Sequence, residues 1–221
     1  MKKRLVIFGA GDIAQLAHFY FSTDSDYEVV AFTVDRAYLP AENFCDLPVV
    51  AFDEVANAFP PDSHSFFVAL SYSALNALRK SKYLEAKALG FQMASYISSQ
   101  ATILNGGAIG ENCFVLEDNT IQPFVSIGNN VTLWSGNHIG HHAAVGDHCF
   151  IASHVVVSGR VKIGEQCFVG VNATLRDHIK VGERCVIGAG VLLLADADPG
   201  GVYMGTAVER SRIPSSRLRG I

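Results

Sequence analysis

The chain has little charge, and less of the positive sign. Only 17% of its 221 residues are Asp, Glu, Lys or Arg, and 21 acidic side chains outnumber 17 basic ones. A formal net charge of −4 supplies no basic field to hold nucleic acid by its phosphates, so no nucleic-acid partner is expected. No apolar run approaches the roughly 18 residues of a spanning helix, and no membrane role is expected. The opening stretch MKKRLVIFGAGD places basic residues before an apolar run, as a signal peptide does, but the run breaks at Gly9 and Asp12 without a small-residue cleavage site. It reads better as a buried first strand. Five cysteines occur without a C-x-x-C pair, which removes the usual zinc and redox spacings, and no metal is expected. Unpaired cysteines fit a reducing compartment, so a cytoplasmic location is expected. Apolar residues make up 49% of the chain, enough for a packed core.

The second half is organised by a repeat. Every sixth residue from Ile103 to Leu193 is Ile, Leu or Val, sixteen positions in a row. That period fits neither an α-helix nor a flat strand. It fits a solenoid in which each hexapeptide supplies a short strand and a corner, three to a coil. The position four residues after each aliphatic one should also face the narrow interior. Cys113, Cys149, Cys167 and Cys185 all hold that position, which predicts a structural cysteine column. Cys45 falls in a polar loop instead. The series IGENCF, IGNNVT, VGDHCF, IGEQCF and VGERCV varies little and reads as the scaffold face. The other two faces carry the variation. Four of the eight histidines fall within SGNHIGHHAAVGDHCF, residues 135–150. His148 and His178 read as solvated corner residues, whereas His138 and His154 lie on the variable faces.

Residues 1–100 lack the repeat and alternate strand with helix. LVIF, VVAFTV and FFVAL read as buried parallel strands. Ile13, Leu16, Ala17 and Tyr20 share one helical face, as do Leu75, Leu78, Ala86 and Leu89. The first turn, FGAGDIA, matches G-x-G-x-x-A through Gly9, Gly11 and Ala14, a pattern that lets backbone approach a phosphate or sugar at a helix N-terminus. Asp35 ends the second strand, where a carboxylate can accept hydrogen bonds from a ribose or base. The pattern by itself fits an empty tight turn equally well. About a hundred residues are too few for the second half of a dinucleotide fold, which favours a mononucleotide or nucleotide-sugar over NAD. SYISSQATI carries the chain into the first coil.

A Rossmann-like βαβ domain followed by uninterrupted hexapeptides resembles the bacterial left-handed β-helix sugar acetyltransferases, which include nucleotide-amino-sugar N-acetyltransferases and sialic acid O-acetyltransferases. The resemblance implies an α/β nucleotide-sugar-binding domain over 1–100, a parallel left-handed β-helix over 101–195 and a tail over 196–221. It also implies a homotrimer with acetyl-CoA in the groove between neighbouring prisms. In that family a histidine after an aliphatic-x pair is the base, which marks His141 in Ile139-Gly140-His141-His142. A neutral imidazole suits removal of a proton from an amine or hydroxyl as it attacks a thioester. The same resemblance gives Gly159 to the acetyl end, Val171 and Ala189 to the pantetheine arm, and Gly11, Asp12, Ile13, Asp35 and Arg36 to the nucleotide-sugar.

The chain departs from the family at several points. His142 stands where an acidic residue usually orients the base, and Asp147 or Asn137 are alternative orienting groups. Phe150 replaces a histidine found near the acetyl carbonyl in some relatives. Ser71-Tyr72-Ser73 replaces a G-N-N-like strand end, and Ser98-Ser99 a His-Pro pair. VYMGTAVER resembles the family tail, with Arg210 placed to meet a CoA phosphate. The implied activity is acetyl transfer to a sugar amine. Its alternatives are O-acetylation, another acyl group, a metal-dependent enzyme similar to the γ-type carbonic anhydrases, and a non-catalytic nucleotide-binding trimer.

Overall fold

A computed structural model of the chain describes residues 2–40, 43–206 and 217. The N-terminal part is a five-stranded parallel sheet of β1 (Lys3–Phe8), β2 (Tyr27–Val34), β3 (Val49–Ala51), β4 (Ser65–Val68) and β5 (Gln92–Met93), in the order β3-β2-β1-β4-β5. The three strands read from sequence form its centre, where Leu5, Val6, Ile7, Phe32, Phe66 and Val68 are fully buried. Helix α1 (Asp12–Thr23) covers one face and α3 (Ser73–Ala88) packs against β4, while α2 (Val55–Ala58) is a single turn.

Both helices bury only part of the expected face, Ala17 with Ile13 and Tyr20 packed beside it on α1 and Ala86 on α3. On α1 the buried stripe is Ala14, Ala17 and Phe21, with Leu16 turned outward. On α3 the leucines Leu78 and Leu89 are exposed, and the buried residues are Asn76, Arg79, Lys82, Tyr83 and Ala86. A helix buries a polar face only where polar partners meet it. The second half of the chain supplies those partners for Asn76, Arg79 and Tyr83, and Asp35 and Glu85 supply them for Lys82.

That second half is a left-handed parallel β-helix with three sheets. The first sheet runs from Tyr96–Ile97 to Val202–Tyr203 through Phe114–Val115, Thr132–Leu133, Phe150–Ile151, Phe168–Val169 and Val186–Ile187. The second sheet includes His138–Ile139, Val156–Val157 and Thr174–Leu175, and the third includes Ala144–Val145 and Lys162–Ile163. Parallel pairs are offset by 18 residues, as in Ile139 with Val157, so each coil is three hexapeptides. The aliphatic positions and the residues four beyond them fill the interior, and all four column cysteines are fully buried. Burial pushes the Cys113 thiol up to about 11 and raises that of Cys149 as well, which makes them inert as nucleophiles.

Each corner turns through one left-handed residue, spaced by six: Asn130, His142, His148, His154, Arg160 and Gln166 are among them. That conformation costs most L-residues roughly 1–2 kcal/mol, but Asn, Asp and His tolerate it well. The histidine density of residues 135–150 therefore follows in part from corner geometry.

The N-terminal domain docks on the first sheet and on the corner between the third and first sheets. Phe114 lies beneath Tyr20, Phe67 and Tyr96. At the corner a buried ladder climbs the coils. Asn112 Nδ2 donates to Asn130 Oδ1 at 2.7 Å, and Asn130 Nδ2 lies 3.0 Å from His148 Nδ1. Helix α3 rests on this ladder through Arg79 to the Asn112 carbonyl, Asn76 to the His148 carbonyl, Lys80 to Gln166, and Tyr83 and Lys87 to Glu111. The expected scaffold face is thus the domain interface. His148, read as solvated, is 5% exposed and packs against Tyr83. His178 is exposed, as read.

Candidate active site

The first turn brings backbone, not side chains, to the end of the N-terminal sheet. Gly9 has φ +127°, and a Cβ there would come within 2.7 Å of the Ala69 carbonyl, so β1, β4 and α1 meet only over glycine. This is also where chain order reverses between β1 and β4, the usual ligand crevice of such sheets. Three clefts run on from it in a row. One of about 240 Å³ lies among Phe8, Val34, Asp35, Tyr38 and Leu78. It shares Gly9, Ala10 and Leu70 with a second, of about 360 Å³, that also takes in Gly11, Asp12, Ile13 and Ser71. The second shares Ile13 with a third, of about 250 Å³, bounded by Tyr72, Trp134, Phe150, Phe168 and Val171. The groove therefore leads from Asp35 across the glycine turn to Val171 on the prism. A larger cavity, about 550 Å³, opens at the opposite end of the sheet among Lys2, Arg4, His64 and Gln92, and holds none of the site residues read from sequence.

Asp35 does not stand alone. Lys82 Nζ donates to its Oδ1 at 2.7 Å and to Glu85 Oε2 at 2.9 Å, and lies 5.5 Å from the Phe8 ring centroid and 5.0 Å from that of Phe52. Burial alone would lower the Lys82 ammonium, but Asp35 and Glu85 outweigh it and hold the group protonated. With one oxygen held, Asp35 keeps Oδ2 for a ligand. Arg36 points elsewhere: its guanidinium is engaged by Asp53 and Glu54, and it lines none of the three clefts.

On the prism, Val171 and Ala189 sit at the corner between the first and second sheets, stacked in register, with Gly190 N donating to the Val171 carbonyl at 2.8 Å. His141, His142 and Gly159 sit at the corner between the second and third sheets. A Cβ built on Gly159 would lie 2.7 Å from His141 Nε2, so only glycine leaves the ring its place. The Gly159 carbonyl accepts from His178 N at 3.0 Å, while its N–H has no partner among the described residues. His141 Nδ1 lies 3.1 Å from His142 Nδ1, and the His142 ring packs on Phe124 with centroids 4.7 Å apart. Gln122 Oε1 accepts from the His141 amide at 2.8 Å. Only one nitrogen of the histidine pair can donate. When His141 donates, its Nε2 is a bare lone pair beside Gly159.

Neither alternative orienting group reaches this pair. Asp147 Oδ1 accepts from Asn129 N at another corner, and Asn137 is buried between the Trp134 carbonyl and Val155 N. One chain therefore gathers Gly11, Asp12, Ile13, Asp35 and Val171 along the groove, and His141, His142 and Gly159 at a separate corner across the second sheet. Arg210 lies outside the described residues. Lys82 was not among the residues singled out from sequence, and nothing local in the chain marks it as the partner of Asp35. The sequence reading also gave Tyr72 and Trp134 no wall role, although FFVAL followed by a tyrosine was a signal that an aromatic leaves the strand end.

Comparison with known proteins places these features. A family model described as bacterial transferase hexapeptide (six repeats) matches residues 124–159 and 160–195. The acetyltransferase domain of PglB from Neisseria gonorrhoeae, solved with acetyl coenzyme A, is 24% identical, with a TM-score of 0.82 over 93% of this chain and 97% of its own. PerB from Caulobacter crescentus, solved with CoA and GDP-perosamine, is 24% identical, with a TM-score of 0.80 over 91% and 93%. WeeI from Acinetobacter baumannii is 18% identical, with a TM-score of 0.78 over 91% and 96%. No curated protein sequence matches. These likenesses establish a shared two-part fold across nearly the whole chain.

Proposed function

We propose that this chain, whose fold is that of the hexapeptide-repeat sugar acetyltransferases, transfers an acetyl group from acetyl-CoA to the amino group of a nucleotide-linked sugar, with His141 as general base. The observation that carries the reading is the row of clefts from Asp35 to Val171, joined through shared lining residues, together with His141 Nε2 beside Gly159, whose N–H has no partner among the described residues. The bound proteins in the comparison, with acetyl-CoA in one and CoA and GDP-perosamine in the other, support the same pair of substrates.

Acetyl-CoA brings an activated thioester, so the chain has to supply a base, an oxyanion donor and orientation, and needs no nucleophile of its own. His141 Nε2 takes the proton of the amine as its nitrogen bonds to the acetyl carbon, and when the C–S bond breaks the departing CoA thiolate takes that proton and leaves as the free thiol. His142 accepts the Nδ1 hydrogen of His141 and fixes the productive tautomer. The Gly159 N–H faces the developing oxyanion, and the absence of a Cβ at Gly159 leaves room for the acetyl group. Exposed Arg160, Lys162 and Arg176 near this corner supply positive charge for CoA phosphates. Asp35, held by Lys82, meets the ribose or base, and Gly11, Asp12 and Ile13 line the path of the diphosphate and sugar.

The base and the groove lie on different corners of one prism, so a complete site takes His141 from one chain and the groove from its neighbour. A closed ring of copies meets that need, and the homotrimer is the assembly proposed. Val171, Leu192 and Leu194, exposed on and beside the second sheet, become covered in it. A cytoplasmic location fits substrates of this kind. The test is to offer acetyl-CoA with a panel of nucleotide-linked amino sugars and follow free thiol. Release that depends on the acceptor supports the reading, and its absence across amino and hydroxyl acceptors refutes it.

A further inference from the structure

Beyond the end of β4, Ser71 lines the second cleft and Tyr72 lines the third. Its ring packs on Phe150 and Phe168, with centroids 4.9 and 4.8 Å away, yet the residue remains 49% exposed toward the groove. The backbone just beyond it is unusual. Ala74, Leu75 and Asn76 have φ of 49°, 51° and 60°, three consecutive left-handed residues. Asn accepts that conformation readily, whereas Ala and Leu do not. Such a run persists only where the surroundings over-determine it.

The surroundings here are the prism. Asn76 Nδ2 donates to the His148 carbonyl at 2.8 Å, and Gln166 Nε2 donates to the Leu75 carbonyl at 3.3 Å. Gln166 is itself held by Lys80, whose Nζ donates to its Oε1 at 3.0 Å. Asn76 N closes the turn on the Tyr72 carbonyl at 3.2 Å. A right-handed turn at these residues would send the chain along another axis and lift Tyr72 from the two phenylalanines.

We infer that Tyr72 is the wall that fixes the reacting end of the acceptor, and that Asn76 and Gln166 are positioning residues that hold it there through the strained turn. The inference rests on the groove being the acceptor site. The ring makes the contact, and its hydroxyl has no partner among the described residues. Tyr72→Ala removes that ring and should weaken acceptor binding. Gln166→Leu removes the clamp and leaves a shorter, apolar side chain. Adding Leu75→Gly lets the turn stay left-handed without it.

Trp134 is the single tryptophan and lines the same cleft, so its fluorescence reports binding without any need for turnover. The experiment titrates the full chain with GDP-perosamine and with UDP-linked amino sugars, then measures acceptor and acetyl-CoA KM where thiol is released. Expected are an increase of about tenfold or more in acceptor Kd and KM for Tyr72→Ala and Gln166→Leu, an unchanged acetyl-CoA KM, and recovery in Gln166→Leu/Leu75→Gly. An unchanged acceptor Kd in Tyr72→Ala, an equal rise for both substrates, or no fluorescence response to any probe overturns the inference. Binding that follows this pattern without thiol release supports the wall and refutes acyl transfer.

Discussion

In the proposed site a histidine ring, rather than a carboxylate, meets His141 Nδ1, with His142 Nδ1 3.1 Å away. A carboxylate in that position would accept the Nδ1 hydrogen and also stabilise the imidazolium that forms, whereas His142 does only the first unless its own charge state changes. His141→Ala should lower kcat by about 10² to 10⁴ while acetyl-CoA binding persists. His142→Ala should cost less. Near-normal turnover in His141→Ala would exclude it from proton transfer. At the other end of the groove, Asp35 and Lys82 act as a unit. Asp35→Ala should raise the acceptor KM far more than that of acetyl-CoA. Lys82→Met should do the same in smaller measure, because it frees the carboxylate to turn rather than removing it. Equal effects on both substrates would detach this pair from acceptor binding.

Helix α3 and the corner it rests on show what a sequence can and cannot say about an element. The hexapeptide period exposed the prism and the interior cysteines because every coil meets the same steric demand. The same regularity hid the docking surface. Asn112, Asn130, His148 and Gln166 occupy left-handed corner positions where polar residues are ordinary, and nothing local marks them as buried. The leucines of α3 suggested an apolar face, but the partner surface is polar, and the helix turns its Asn, Arg and Lys inward to meet it.

Two consequences can be measured at this scale. Burial first, and then nearby Lys80, lower the proton affinity of His148 below its unfolded value, with Asp147 and Glu165 opposing and Arg79 adding to the effect. The unfolded chain then binds the proton more tightly. Stability from this ring is full above about pH 6.5 and is lost as pH falls through the lower folded-state value. His148→Asn, which keeps a residue suited to the left-handed corner, should flatten that acid limb in thermal melts, and an unchanged limb would place its origin elsewhere. In the interior column, Cys149, Cys167 and Cys185 should resist thiol reagents in the native state while the half-buried Cys45 labels first. Cys167→Ala should cost about 1–2 kcal/mol without loss of activity, and rapid labelling of all five would contradict the column.

On the scale of the whole molecule, both ends of the reaction path are present but not joined. The groove runs from Asp35 to Val171 on one side of the second sheet, and His141 with Gly159 stands on the other. The fold was readable from the chain because it depends on local spacing, whereas His141 is proposed as the base on its motif position and its place beside Gly159. The division of the site was not readable, since it depends on which corner each hexapeptide reaches. The measurement that tests the account most directly mixes two inactive chains. His141→Ala lacks the base, and Gly11→Phe fills the groove, since a Cβ at Gly11 meets nothing within 4 Å and the ring is free to enter it. In randomly mixed trimers about one site in four would pair an intact His141 with an intact neighbouring groove. Acetyl transfer should therefore return to roughly a quarter of the parent rate in mixed assemblies, with either variant alone inactive. Mixed assemblies that stay inactive would show that base and groove must come from the same chain, and the proposed shared site would fail.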